Sequence, residues 1–159
     1  MTIQFLSSSL ATTLEVGKKL GSFSEPGDVI CLGGELGSGK TTLAQAIAEG
    51  AGVDEREYVN SPTFAVLHEY GGRIPIYHMD FYRLGSSEDV LALGLDEYLY
   101  GDGLALIEWF ERAEDVLPES ALVVHLSFVN TNSRAISLHS SDHRWQKIFG
   151  QLKTTLNLS

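Results

Sequence analysis

Apolar positions along the chain fall into short unbroken runs and longer runs at helical spacing, and their order outlines the domain. Leu10, Leu14, Gly17 and Leu20 recur at a spacing near one helical turn and predict a helix over residues 10–20. Pro26-Gly27-Asp28 reads as a turn, followed by the buried-type strand Val29-Ile30-Cys31-Leu32. Gly33 to Gly39 is a loop. Lys40 to Ala51 then reads as a helix with Leu43, Ala44, Ile47 and Ala51 on one face, ended by Gly50 and Gly52. Residues 54–62 are charged and turn-like. Phe64–Tyr70 alternates as a strand, Gly71-Gly72 turns the chain, and Ile74–Phe81 is the return strand of the hairpin. Ser86-Ser87-Glu88-Asp89 is a helix start, because a serine cap and first-turn acids suit the helix dipole. A short helix around Leu95–Leu99 precedes a second apolar strand, Leu104-Ala105-Leu106-Ile107, which runs into Glu108. Leu122–Phe128 and Ala135–His139 alternate as a late antiparallel pair, and Trp145 to Leu156 closes the chain as an amphipathic helix.

A strand–loop–helix core, an inserted hairpin and a late antiparallel pair predict a three-layer α/β domain with a mixed, partly antiparallel sheet. The 159 residues suit a single domain spanning residues 1–159, and a 43% hydrophobic composition suffices for its core.

Charge narrows the function. The formal net charge is −10, and the 11 Lys and Arg residues are scattered. A nucleic-acid surface needs its cations clustered, which disfavours tight, direct tRNA or DNA binding by this chain. An acidic surface serves solubility, or a basic protein partner. The single cysteine, Cys31, excludes an intramolecular disulfide and reads as a small core residue. Met1–Leu6 lacks the basic and long apolar regions of a signal peptide, and no run approaches a membrane span, so a soluble, cytoplasmic protein is expected.

The strongest chemistry lies in Gly34-Glu35-Leu36-Gly37-Ser38-Gly39-Lys40-Thr41, which fits the phosphate-loop pattern G-x-x-x-x-G-K-[ST]. Backbone N–H groups cradle a triphosphate only where side chains do not block the approach, and Gly34, Gly37 and Gly39 leave it open. The helix that follows points its N-terminus at the phosphates. Lys40 neutralises the β- and γ-phosphates, and the Thr41 hydroxyl suits a magnesium ion. Thr42 is either a second polar contact or an ordinary first-turn residue.

Magnesium–nucleotide chemistry calls for a carboxylate at the end of a neighbouring apolar strand. Glu108 fits best and Asp80 is the second candidate. Thr63, in Ser61-Pro62-Thr63-Phe64, suits a hydroxyl that senses the γ-phosphate from a switch-like loop, and equally a turn hydroxyl bonding its own backbone. His78 reads as a packed or hydrogen-bonded histidine rather than a base. Arg83 suits either an ion pair or a phosphate contact. An Asn-Lys-x-Asp element of the kind that reads guanine is missing, which favours ATP. The arginines form no lid-like cluster, which favours hydrolysis over a small-molecule kinase. A non-hydrolysing, ATP-sensing binding module is the other alternative.

With these residues in place, the chain resembles the TsaE family (also called YjeE), small ATPases of tRNA threonylcarbamoyladenosine biosynthesis. The matching stretches are Gly34–Thr42, Ser61-Pro62-Thr63-Phe64, Tyr77-His78-Met79-Asp80-Phe81-Tyr82-Arg83-Leu84, Gly94-Leu95-Asp96-Glu97-Tyr98 and Ile107-Glu108-Trp109. The phosphate loop alone is generic, whereas the His-x-Asp-x-Tyr-Arg stretch together with the Glu-Trp pair is specific. The resemblance implies a bacterial cytoplasmic ATPase that binds ATP and Mg2+. It would act on a TsaB–TsaD partner pair that transfers a threonylcarbamoyl group to tRNA, and would meet tRNA only through that complex. Carried over by position, Lys40 holds phosphates, and Thr41 and Glu108 serve magnesium. Asp80 lies near metal and water, and Thr63 lies on a switch-like loop. Trp109 and Arg134 match family positions without an assigned role, and Ser8–Thr13 flanks the adenine. After Trp109 the chain departs from the family pattern with Phe110-Glu111-Arg112.

Overall fold

The two runs that read as fully apolar, Val29–Gly34 (β2) and Leu104–Glu108 (β5), lie side by side in parallel, with Val29 opposite Ala105 and Leu32 opposite Glu108. The computed structural model describes residues 1–57 and 59–158, so Tyr58 of the turn-like 54–62 segment lies outside the described residues. The other strands are Thr2–Ser7 (β1), Leu67–Gly71 (β3), Pro75–Asp80 (β4), Leu122–Phe128 (β6) and Arg134–His139 (β7). They form one seven-stranded sheet in the order β1-β7-β6-β2-β5-β4-β3. Strands β6, β2, β5 and β4 are parallel, while β3, β7 and β1 add antiparallel edges. The expected mixed α/β sheet is therefore what forms.

Helices cover both faces. Leu10–Phe23 (α1), Lys40–Gly50 (α2) and His143–Thr155 (α5) lie on one, where Val16, Leu43, Ile47, Trp145 and Phe149 pack with Ile30, Leu32 and Leu106. Ser87–Ala92 (α3), Asp96–Leu99 (α4) and a 3-10 helix over Phe110–Val116 cover the other, where Val90, Leu99 and Phe110 pack with Cys31, Met79 and Ile107. Alternate residues of β2 thus enter two different cores, which is why the strand reads as unbroken apolar sequence. Burial pushes the Cys31 thiol pKa up, as befits an inert core residue.

Local chemistry sets the ends. The Ser9 side chain accepts a hydrogen bond from the Thr12 N–H and starts α1. Glycines then let α1 and α2 meet backbone to backbone: a Cβ on Gly21 would lie 2.0 Å from the Ile47 carbonyl oxygen, and one on Gly50 2.0 Å from that of Lys18. This contact fixes the helix that follows the phosphate loop.

Four details differ from the sequence expectation. The N-terminal segment, to which the sequence pattern assigns no element, is a strand with Ile3, Phe5 and Ser7 buried and Leu6 exposed. Strand β2 continues through Gly34, so the loop is shorter than Gly33–Gly39. The hairpin's first strand begins at Leu67 rather than Phe64, because Thr63–Ala65 is a turn and Val66 adopts a φ of 70° that no strand tolerates. Ser86 occupies the cap of α3 but its side chain makes no capping hydrogen bond among the described residues.

Candidate functional site

The candidate residues converge at the carboxyl ends of the parallel strands, where ligands of open α/β sheets bind. Strand β2 delivers the phosphate loop there. Gly34, Gly37 and Gly39 have φ values of 142°, 80° and 107°, all in the region that favours glycine. A Cβ on Gly34 would sit 2.5 Å from both the Leu126 carbonyl oxygen and the Ser38 Oγ, so only glycine fits under the loop. Glu35, Leu36 and Gly37 are exposed at the tip, while Ser38 is buried. The Ser38 hydroxyl has no hydrogen-bond partner among the described residues. Gly39 is the residue before α2, so Lys40, Thr41 and Thr42 form the first turn of that helix.

Lys40 is buried, and its Nζ donates to the Gly34 carbonyl at 2.9 Å while lying 3.9 Å from the centre of the Trp109 ring. Trp109 reaches back in this way because its backbone turns into the left-handed region, at a φ of 57°, directly after Glu108. The Tyr82 ring packs against it at 5.0 Å between centres.

Register brings the two acids together. Strands β4 and β5 pair so that Asp80 lies opposite Glu108, one strand away from the end of β2. Both carboxylates are buried. The Thr41 hydroxyl donates to Glu108 Oε1 at 3.4 Å, across 67 residues of sequence. The other oxygen, Oε2, lies 2.7 Å from His78 Nε2. Asp80 is more heavily engaged. Its Oδ2 accepts from Ser61 Oγ at 2.7 Å and Thr63 Oγ1 at 3.1 Å, and its Oδ1 accepts from the Tyr82 N–H at 2.8 Å. The Thr63 hydroxyl is therefore bound to Asp80 rather than to its own backbone. Arg83 forms no ion pair among the described residues, and its guanidinium lies 4.1 Å from the centre of the exposed Phe64 ring.

Two sets of contacts are not readable from the sequence, although it points to Arg134 and Ser8–Thr13. Arg134, from β7, donates its Nε to the Ser38 carbonyl at 2.8 Å and an Nη1 to the Asn130 carbonyl at 2.8 Å, bracing the loop from 96 residues away. Beside that brace is a small cleft of about 70 Å3 lined by Leu10, Thr13, Ser38, Gly39, Thr42, Thr131, Asn132 and Arg134. The start of α1 thus borders the loop through Leu10 and Thr13. No local pattern marks these contacts, because each depends on distant strands pairing correctly.

Comparison with known proteins adds an independent line. The family model described as "Threonylcarbamoyl adenosine biosynthesis protein TsaE" matches residues 7–136. The tRNA threonylcarbamoyladenosine biosynthesis protein TsaE of Bacillus subtilis (strain 168) is 40% identical over 149 residues, covering 92% of this chain and 91% of that protein. The protein of the same name from Treponema pallidum (strain Nichols) is 39% identical over 133 residues, covering 84% of this chain and 97% of its own length. Among solved structures, the crystal structure of Bacillus subtilis YdiB superposes with a TM-score of 0.81 at 31% identity, covering 98% of this chain and 96% of that one.

Proposed function

The chain belongs to the TsaE family of threonylcarbamoyladenosine biosynthesis proteins, and from that premise we propose that it is the ATP-binding and ATP-hydrolysing subunit required for that tRNA modification. One observation carries the proposal: Thr41, in the first turn after the phosphate loop, reaches the carboxylate of Glu108 at the end of the adjacent strand. A hydroxyl and a carboxylate so paired form half of a magnesium–nucleotide site.

The residues fit the ligand. The loop is cut to size at Gly34, the buried Ser38 hydroxyl lacks a partner among the described residues, and the N-terminus of α2 faces the same space. Among the described residues no group of three or more His, Cys, Asp or Glu side chains is arranged to hold a metal ion. Magnesium is usually bound through one or two protein groups, with phosphate and water completing its shell. Backbone N–H groups from Gly34 to Thr42 would bind the phosphates, with Glu35 and Leu36 contributing main chain at the tip. Lys40 would exchange its Gly34 carbonyl for phosphate oxygens. Thr41 and Glu108 would hold the magnesium ion. When bound, that ion neutralises charge building up on the leaving phosphate. Thr63, held by Asp80, would meet the γ-phosphate, and Asp80 would orient the attacking water. Ser8–Thr13, at the start of α1, would flank the adenine.

We place residues 1–159 in a single P-loop ATPase domain, working in the bacterial cytoplasm with TsaB- and TsaD-like partners. The net charge of −10 supports contact with tRNA only through that complex. Among the described residues no helix is long and apolar enough to cross a membrane.

The test is Lys40→Ala, followed by ATP affinity and by ADP formation in single turnovers, with and without the partner proteins. Loss of both affinity and hydrolysis is expected, and unchanged values would sink the proposal. Transfer of the γ-phosphate to a metabolite would favour a small-molecule kinase. Tight ATP binding with no ADP formed alongside the partners would favour a sensing module.

A further inference from the structure

His78 is buried in the core, on the same face of β4 as Asp80 and two residues before it. Its Nε2 lies 2.7 Å from Glu108 Oε2, and its Nδ1 has no hydrogen-bond partner among the described residues. A carboxylate only accepts, so the ring donates Nε2–H. Burying a polar ring costs free energy that an apolar side chain would not incur, and here a single hydrogen bond offsets it. That bond goes to the carboxylate whose other oxygen faces Thr41, 3.4 Å away. Leu106 and not Glu108 is the register partner of His78, so the ring reaches up one step and holds the carboxylate from beneath.

We propose that His78 is a positioning residue, which locks the Glu108 carboxylate so that Oε1 faces Thr41 and the divalent cation carried by the nucleotide. The inference rests on the magnesium–nucleotide site proposed above and adds the device that orients it. A glutamate rotates freely about its side-chain bonds, and a single donor on the far oxygen removes that freedom before the cation arrives. Outer partners of metal-binding carboxylates act in this manner.

Glutamine and asparagine variants separate positioning from packing. A glutamine at position 78 puts its amide nitrogen near where Nε2 lies, whereas an asparagine is too short and reaches only the Nδ1 position. Mn2+ is titrated into each protein, loaded with a non-hydrolysable ATP analogue, and free ion is read by electron paramagnetic resonance. His78→Asn should weaken Mn2+ binding by about 10-fold or more, while His78→Gln stays within about threefold of the parent. Equal affinity in both variants, whether retained or lost, overturns the proposal. Should neither variant fold, the parent protein still decides. Its His78 Nε2–H resonance should shift when Mg2+ joins the nucleotide-loaded protein, and an unmoved resonance overturns the inference. Thr41→Val tests the underlying site separately. If Thr41→Val leaves Mn2+ affinity intact, the proposed site fails. If Thr41→Val weakens it and His78→Asn does not, only the role of His78 fails.

Discussion

The contact between α1 and α2 decides where the phosphate loop's helix stands, and one methyl group tests it. In Gly21→Ala the new Cβ would lie 2.0 Å from the Ile47 carbonyl oxygen and 2.8 Å from the Ala51 nitrogen. Both are backbone atoms of α2 and its cap, so no side chain can swing aside and the helices must part. Overpacking of this kind typically costs ~1–3 kcal/mol, and two contacts with fixed backbone put it at the upper end. Replacing glycine with alanine inside a helix returns ~1 kcal/mol. The net loss is about 2 kcal/mol, which for a chain of this size lowers Tm by roughly 4–8 °C. Gly150→Ala is the matched control: it lies in α5, and among the described residues nothing beyond its own helix comes within 4 Å of the new Cβ, so only the propensity gain remains. It should raise Tm by roughly 2–4 °C. Thermal melts followed by circular dichroism read both changes. Because α2 carries Lys40 and Thr41 in its first turn, Gly21→Ala should also weaken ATP binding, whereas Gly150→Ala should not. Equal melting temperatures for the two variants would refute the close-packed geometry.

Three further outcomes follow from named contacts. Glu108→Ala should raise the magnesium concentration needed for ATP hydrolysis more than Asp80→Ala does, since Glu108 is the acid that meets Thr41; equal shifts in a magnesium titration count against that ranking. Arg134→Ala removes a charged donor from the Ser38 carbonyl and should weaken ATP binding about tenfold, the scale of one charge-assisted hydrogen bond, and calorimetry showing parent-like affinity would exclude the brace. Tyr77 donates to Asp102 at 2.6 Å, and that bond is the main reason its pKa is pushed up to about 12 from 10.0. Its folded pKa is above the unfolded one, so this stabilisation is complete below about pH 10 and fades as pH rises towards 12. Urea midpoints measured across that window should fall less steeply in Tyr77→Phe than in the parent, and parallel curves would contradict the assignment.

Some of this was legible in the sequence and some was not, for physical reasons. The phosphate loop and Glu108 were legible because strand, glycine spacing and helix start are all local. That Asp80 would lie beside Glu108 was not, because β4 and β5 pair across a 23-residue gap and only the register decides which residues meet. Strand β1 was obscured by Leu6, which is 56% exposed and interrupts an otherwise alternating pattern. Val66 shows a different limit. A β-branched residue at positive φ breaks the local rule, and such strain of ~1–3 kcal/mol persists only where the surroundings enforce it. Here the Val66 N–H donates to the Pro62 carbonyl and its carbonyl accepts from the Asp80 N–H, so the strained residue closes the base of the Ser61–Phe64 turn.

That closure bears on how the two acids divide their work. Asp80 already accepts three hydrogen bonds from protein, two of them from hydroxyls of the Ser61–Phe64 turn. Of its roughly four acceptor sites only one, on Oδ1, is left for a cation. Glu108 has one oxygen fixed by His78 and the other engaged only by a long contact with Thr41. The less committed carboxylate is the better metal ligand, and the more committed one is the better anchor for a loop. On the proposed function, Asp80 therefore ties the turn's hydroxyls to the sheet while Glu108 faces the nucleotide's cation. The two tasks meet at one register pair, Asp80 opposite Glu108. Side chains alternate between faces along a strand, so a slip of β4 by a single residue would carry Asp80 and His78 to the opposite face together. The turn would lose its anchor and Glu108 its donor in the same step, which makes the β4–β5 pairing the element on which both halves of the site depend.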